Sequence, residues 1–211
     1  MSSSHRSRGS LFIIAAPSGA GKTSLVNGLL ESDPRLVLSI SHTTRPARPA
    51  EIDGRHYHYV SEEEYERMVS NGDFLEHARV FDHYYGTNRN SVATQLESNR
   101  DVILEIDWQG ARQVRSALAD CCFIFILPPS LESLRERLTG RGQDSAGVIQ
   151  SRMQDAQAEI SHWTEFDQLV VNDDFETALE ELLTIINDHR KQKPHPKNKQ
   201  QQRLAQQLGR S

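Results

Sequence analysis

The sequence predicts an α/β fold with a parallel sheet core and a small, mostly β subdomain set into it. Three observations carry this. Short apolar runs alternate with helically spaced patterns along most of the chain, the signature of right-handed crossovers into a sheet covered on both faces. The segment from about 42 to 90 interrupts that alternation: it is polar, rich in Tyr and His, and broken by Pro46, Pro49, Gly54, Gly72 and Gly86. Finally, "LFIIAAPSGAGKTSLVNGLL" (11–30) sets a strand, a Gly-rich turn and a helix in direct succession.

Taken in order, "LFIIAA" (11–16) is a short apolar run closed by Pro17, as expected of a buried strand. From Lys22, the residues Leu25, Val26, Leu29 and Leu30 keep helical spacing and stop before Pro34. "RLVLSIS" (35–41) is a second strand candidate. Within the subdomain, "SEEEYERMVSNG" reads as a helix capped by Ser61, with Glu64 three residues on. "DVILEID" (101–107) is a buried strand ending in carboxylates, and "QGARQVRSALA" a helix. "CFIFILPP" (122–129) is a strand stopped by two prolines. "SLESLRERLTGRG" opens on a hydroxyl cap and becomes a helix bearing arginines, and residues 147–162 continue as helix. "FDQLVVND" (166–173) is a last strand, and residues 175–192 form an amphipathic helix. Residues 1–9 and 193–211 are expected to be flexible polar tails, in which "QQRLAQQL" could form a helix transiently.

Composition narrows the function classes. Seven of the 24 Lys and Arg residues lie after Asp188, where no Asp or Glu occurs, so the body of the chain is acidic. An acidic body argues against nucleic acid as a partner. The two cysteines, Cys121 and Cys122, are adjacent; on a strand they point to opposite faces and suit neither a disulfide nor a metal. His42, His77 and His83 show no metal-ligand spacing. No apolar run approaches the ~18 residues that a membrane span needs, so neither a membrane partner nor a secretory signal is expected and the location reads as cytoplasmic. A homo-oligomer is compatible with the sequence.

"APSGAGKT" (16–23) carries the first chemistry. A phosphate-binding loop turns several backbone N–H groups toward one phosphate, at the N-terminus of a helix whose dipole favours the anion. Gly19 and Gly21 let the backbone approach closely. Lys22 supplies a positive charge, and Thr23 a hydroxyl for Mg²⁺. The motif usually begins with glycine and here begins with Ala16, which suffices if its dihedrals are ordinary. Ala16, Pro17, Ser18, Gly19, Ala20, Gly21, Lys22 and Thr23 are therefore the candidate ATP-binding residues. The loop names a triphosphate, not a reaction.

"SHTTRPARPAEIDGRHYHY" (41–59) supplies more: Arg45 and Arg48 three apart amid hydroxyls and prolines, an acid at Glu51, then Gly54 and the pair Tyr57 and Tyr59. This run resembles the guanylate kinase signature. "FLEHARVFDHYYGT" (74–87), "LEIDWQG" (104–110), "RLTGRGQDS" (137–145) and "VVNDDFETAL" (170–179) are similar to that family's other nucleotide-pocket, lid and last-strand segments, in the same order. The resemblance spans roughly residues 10–190. It implies a P-loop NTPase three-layer fold, with core 10–41 and 91–190, a GMP-binding subdomain at about 42–90, and a helical lid at about 135–155. It also implies transfer of the γ-phosphoryl group of ATP to GMP or dGMP with Mg²⁺.

Residue by residue, the resemblance puts the GMP phosphate on Arg45, Arg48, Tyr57 and Tyr85. Forked guanidiniums and fixed phenols suit a dianion. Guanine falls to Glu76, assisted by Ser41 and Thr87, with Glu105 and Asp107 nearby; Glu105 stands where the family often has aspartate. Guanine offers a ring N–H and an amino group side by side to one carboxylate. Adenine has an acceptor where guanine has the N–H, and the unpaired buried group would cost about 1–3 kcal/mol. Lys22, Arg45 and the lid arginines Arg137, Arg141 and Arg152 are implied to be catalytic, stabilising charge as it moves in the transition state. Asn172 is implied on the adenine side.

Two other readings stand beside this one. Guanylate-kinase-like domains also serve as non-catalytic binding modules, usually with a degraded phosphate loop, whereas Gly21, Lys22 and Thr23 are intact here. A kinase of another small acceptor would share the loop alone.

Overall fold

The computed structural model describes residues 8–80, 82–140 and 146–209. In chain order the elements begin with β1 (Leu11–Ala15), α1 (Lys22–Ser32), β2 (Leu36–Leu38), β3 (His42–Thr43), β4 (His58–Tyr59) and α2 (Glu62–Ser70). Next come β5 (Phe74–Val80), β6 (His83–Asn88), α3 (Arg89–Glu97), β7 (Asp101–Glu105), α4 (Trp108–Ala117) and β8 (Cys121–Leu127). The chain continues through α5 (Leu131–Thr139), α6 (Ala146–Ser161), a 3-10 turn (His162–Glu165), β9 (Gln168–Val171), α7 (Phe175–Arg190) and α8 (Lys199–Leu208). Five strands form a sheet in the order β2-β7-β1-β8-β9, with β2–β7 and β8–β9 parallel. The other four form a second sheet in the order β4-β3-β6-β5. The expected α/β class and the mostly β insertion are both present.

The chain divides into two compact units, one made largely of Arg35–Leu104 and Gln109–Cys121, the other of Phe12–Pro34, Glu105–Trp108 and the chain from Cys122 onward. The second unit is built on apolar strands. Phe12, Ile13, Ile14 and Ile124 through Leu127 are fully or almost fully buried. Helix α1 packs on α7 at Gly28, where an added Cβ would lie 3.1–3.3 Å from Phe175 and Leu179, so the small residue permits the close crossing. Helices α5 and α6 close on each other through Leu134, Leu138, Met153 and Ala156.

The tail departs from expectation. Residues 199–208 are not a free polar segment but helix α8, capped by the Asn198 side chain, with Gln201, Ala205 and Leu208 buried at helical spacing. Gln201 Nε2 donates to Glu181 Oε1 of α7 at 2.8 Å. Leu204, Ala205 and Leu208 in a glutamine-rich stretch make too faint a stripe to separate from a solvated tail. Its cap and a single polar anchor supply what burial alone does not.

In the first unit, β5 and β6 form an antiparallel hairpin on which β3 pairs antiparallel and β4 parallel. Helix α2 covers it with Tyr65 and Met68 against Phe74, and its cap is as expected, Ser61 Oγ accepting the Glu64 N–H at 3.1 Å. The compact unit is larger than the expected 42–90 insertion, since β2, α3 and most of β7 and α4 also belong to it. Gln113 of α4 bonds the His77 backbone both ways, at 3.1 and 2.7 Å.

Candidate active site

The phosphate-binding loop lies wholly in the second unit. Strand β1 delivers Ala16 to the turn, and Ala20 N–H closes it on Pro17 O at 3.1 Å. Gly19 and Gly21 have φ of +91° and +89°, a region where other residues are strained. Ala16 is not among the positive-φ residues, so alanine fits the motif's first position without strain. At Gly21 a Cβ would also come within 2.3 Å of Asn172 Nδ2. Gly21→Ala is therefore expected to destabilise the protein by about 2 kcal/mol or more and to raise KM for ATP. A urea melt and ATP titration check this, and wild-type values in both would contradict it.

The side chains around the loop are specific about their partners. Lys22 Nζ donates to Ile106 O at 3.1 Å, just beyond the C-terminal end of β7. Thr23 Oγ1 donates to Glu105 Oε1 at 2.5 Å. Asn172, 7% exposed, donates through Nδ2 to Ala20 O at 2.8 Å, and its backbone carbonyl accepts from Arg137 Nη2 at 2.9 Å. Arg137 Nη1 is buried with no partner among the described residues. Arg152 Nη2 donates to Ser18 Oγ at 2.8 Å. Two lysine- or arginine-bearing helices, α1 and α6, thus bring cations to the edge of a sheet where strand ends and helix starts converge, the usual ligand edge of open parallel sheets.

The first unit holds a second constellation. Glu76 on β5 pairs directly with Thr87 on β6, and Thr87 Oγ1 donates to Glu76 Oε1 at 2.5 Å. Both are buried, at 4% and 0% exposure. Strand β3 runs antiparallel to β6 with His42 opposite Gly86 and Thr43 opposite Tyr85, and Ser41 immediately precedes it. Residues directly opposite one another share a sheet face, so Thr87 and Glu76 form one row. Tyr85, two residues before Thr87, lies on the same face.

Arg45 lies just after β3 and is held firmly. Its Nη2 donates to both Glu51 oxygens, at 2.7 and 2.9 Å, and its guanidinium lies 5.4 Å from the Tyr57 ring centroid. The Tyr57 ring meets Tyr85 edge-on at 5.9 Å. Glu51 also accepts the Arg48 N–H and the Tyr59 hydroxyl, both at 2.8 Å. The Arg45 hydrogen bond, then those from Arg48 and Tyr59 and the Arg45 charge, hold the Glu51 carboxyl at about 2 against the opposing effect of burial. A carboxyl depressed in the fold stabilises above its ordinary value of 4.5 and loses that contribution as pH falls toward about 2. Glu51→Gln should flatten the acid limb of a stability–pH curve between those values; an unchanged limb would contradict the assignment.

The guanylate kinase family profile matches residues 8–189. The chain belongs to the guanylate kinase family. The guanylate kinase of Alkalilimnicola ehrlichii is 54% identical over 190 residues, covering 89% of this chain and 94% of its own. That of Nitrosococcus oceani is 59% identical over 182 residues, covering 86% and 90%. Among solved structures, a guanylate kinase from Anaplasma phagocytophilum is similar at 34% identity and a TM-score of 0.71, covering 86% of each chain.

Within this guanylate kinase chain the expected residues fall into two groups. Lys22, Thr23, Glu105, Asp107, Arg137, Arg152 and Asn172 belong to the loop's unit; Ser41, Arg45, Arg48, Tyr57, Glu76, Tyr85 and Thr87 belong to the other. Glu105 Oε1 accepts from Thr23 Oγ1, the hydroxyl expected to face Mg²⁺. Asn172 braces the loop backbone. Arg141 lies outside the described residues. Sequence reasoning quoted Glu51 in the signature without giving it a task and passed over Glu159, a single acid in a helix that carries no motif.

Proposed function

We propose that this guanylate kinase transfers the γ-phosphoryl group of ATP to GMP, and to dGMP, giving ADP and GDP. The observation that carries this reading is the buried pair Thr87–Glu76, a carboxylate beside a hydroxyl, which suits guanine's adjacent donors and keto oxygen; Ser41, just before β3, would assist. Arg45, fixed by Glu51 and set beside Tyr57 and Tyr85, would grip the GMP phosphate, and Arg48 would add a second guanidinium. Loop amides from Ala16 to Thr23 would hold the triphosphate, with Lys22 at the transferred group. Arg137, Arg141 and Arg152 would compensate charge as it moves from leaving to attacking oxygens.

The GMP phosphate oxygen is already an ionised nucleophile, so alignment and charge compensation suffice and no general base is needed. Mg²⁺ fits the donor set at Thr23, which is all oxygen: a hydroxyl with the Glu105 carboxylate at 2.5 Å. Among the described residues no group of three or more His, Cys, Asp or Glu could hold a metal, so the ion would be shared with phosphate oxygens and water. When bound, it neutralises charge on the β- and γ-phosphates. Asn172 would then act on ATP through the loop it braces.

No helix among the described residues is long and apolar enough to cross a membrane, which is consistent with a cytoplasmic enzyme. The binding-module alternative is not favoured, since the phosphate loop is intact and relatives matching nearly end to end are named guanylate kinases. The test is a coupled assay with ATP, Mg²⁺ and GMP. GDP should form one for one with ADP, and no GMP-dependent ADP release would overturn the proposal.

A further inference from the structure

Helix α6 grips the phosphate-binding loop at a single residue through two side chains. Arg152 Nη2 donates to Ser18 Oγ at 2.8 Å, and Glu159 Oε2 accepts the Ser18 backbone N–H at 3.1 Å. Seven residues are two helical turns, so one face of α6 carries both contacts. A carboxylate in that place needs explaining, because loop amides and a helix N-terminus are arranged to favour phosphate oxygens. Glu159 takes one such amide for itself.

The charges facing Glu159 come from three elements. Lys22 of α1 favours the carboxylate, as does the Ser18 N–H. Asp107, after β7, and Asp155, on α6 itself, oppose it, and Arg152 shares the same helix face. Burial dominates and pushes the Glu159 carboxyl up to about 7, against the lowering effects of Lys22 and of the Ser18 hydrogen bond.

We propose that Glu159 is a positioning residue for the phosphate-binding loop that takes up a proton when MgATP binds. The inference rests on the loop holding the triphosphate, as proposed above. A bound triphosphate adds negative charge beside Glu159 and engages Lys22, the cation that favours its ionised form. Both changes disfavour the carboxylate. The neutral carboxyl can still accept the Ser18 N–H through its carbonyl oxygen, so the loop keeps its shape while one negative charge is removed. The balance is simple: one proton moves from solvent to a Glu159 carboxylate oxygen, and no covalent bond to the nucleotide is made. Because the bound form is the more protonated one, affinity for MgATP should fall as pH rises above about 7.

Titration calorimetry of the full chain with MgATP, without GMP, in two buffers of different ionisation enthalpy measures the proton directly. At pH 8 the wild type should take up a substantial fraction of a proton, and its affinity should weaken about threefold or more between pH 7 and 8.5. Glu159→Gln keeps the acceptor and removes the titration. It should bind with nearly pH-independent affinity and take up less proton than wild type by that same fraction. Equal proton counts in the two proteins, or none in the wild type, would overturn the inference alone; the wild-type count decides even if the variant fails to fold. Failure of the wild type to bind MgATP at all would instead overturn the assignment of the loop, and this inference with it.

Discussion

Lys22→Ala is expected to lower kcat by about 10³-fold while leaving the melting temperature within a few degrees of wild type. The side chain stands in the first turn of α1, only partly buried, and its ammonium is bonded to Ile106 O at 3.1 Å. Removing it leaves one carbonyl to be solvated and opens no core cavity, so the effect on stability should be small. In the proposed reaction the same ammonium would stand against the transferred phosphoryl group, where a preorganised charge contributes far more than it does in water. Glu159 would also lose the cation that favours its ionised form. Steady-state kinetics at saturating ATP and GMP with a parallel thermal melt separate these effects. Normal kcat would remove Lys22 from the mechanism, and a collapsed melt would give it a structural task instead.

Glu76→Gln should lower kcat/KM for GMP by about 10²-fold and leave the poor use of AMP little changed. The substitution conserves shape inside a site only 4% exposed, and the amide oxygen can still accept from Thr87 Oγ1. What changes is the second position, where an acceptor becomes an N–H donor aimed at guanine donors. Two donors face to face in a buried site leave both unpaired, and the loss should fall largely on recognition of GMP. Unchanged kcat/KM would mean that another residue reads the base.

Much of this was legible in the sequence because its signals were local. The strand–glycine–helix order at 11–30 predicts β1, the loop and α1 nearly to the residue, since Pro17 and Gly19 punctuate a strong apolar run. The same holds for β8, bounded by Pro128. Helix α3 was missed because its start depends on Asn88, whose side chain accepts the Ser91 N–H, within a stretch lacking an obvious apolar stripe. Helix α8 reads in the sequence only as a transient helix, because it is anchored by Asn198 and Gln201 more than by its two buried apolar residues, Ala205 and Leu208. At the site, the resemblance of the local motifs to the family implies Arg45, Glu76 and Thr87. Local motifs cannot reveal contacts between distant segments. Ser18 with Glu159 is separated by 141 residues, and Ala20 with Asn172 by 152, so only the folded chain shows what fixes the loop.

The proposed specificity of this chain for GMP rests on Glu76 reading guanine. The most direct measurement is kcat/KM for GMP and for AMP, in one coupled assay, on wild type and Glu76→Gln. The wild type should prefer GMP by about 10³-fold or more, with most of that ratio lost in the variant through its GMP term. Equal use of GMP and AMP by the wild type, or a ratio untouched by the substitution, would contradict it.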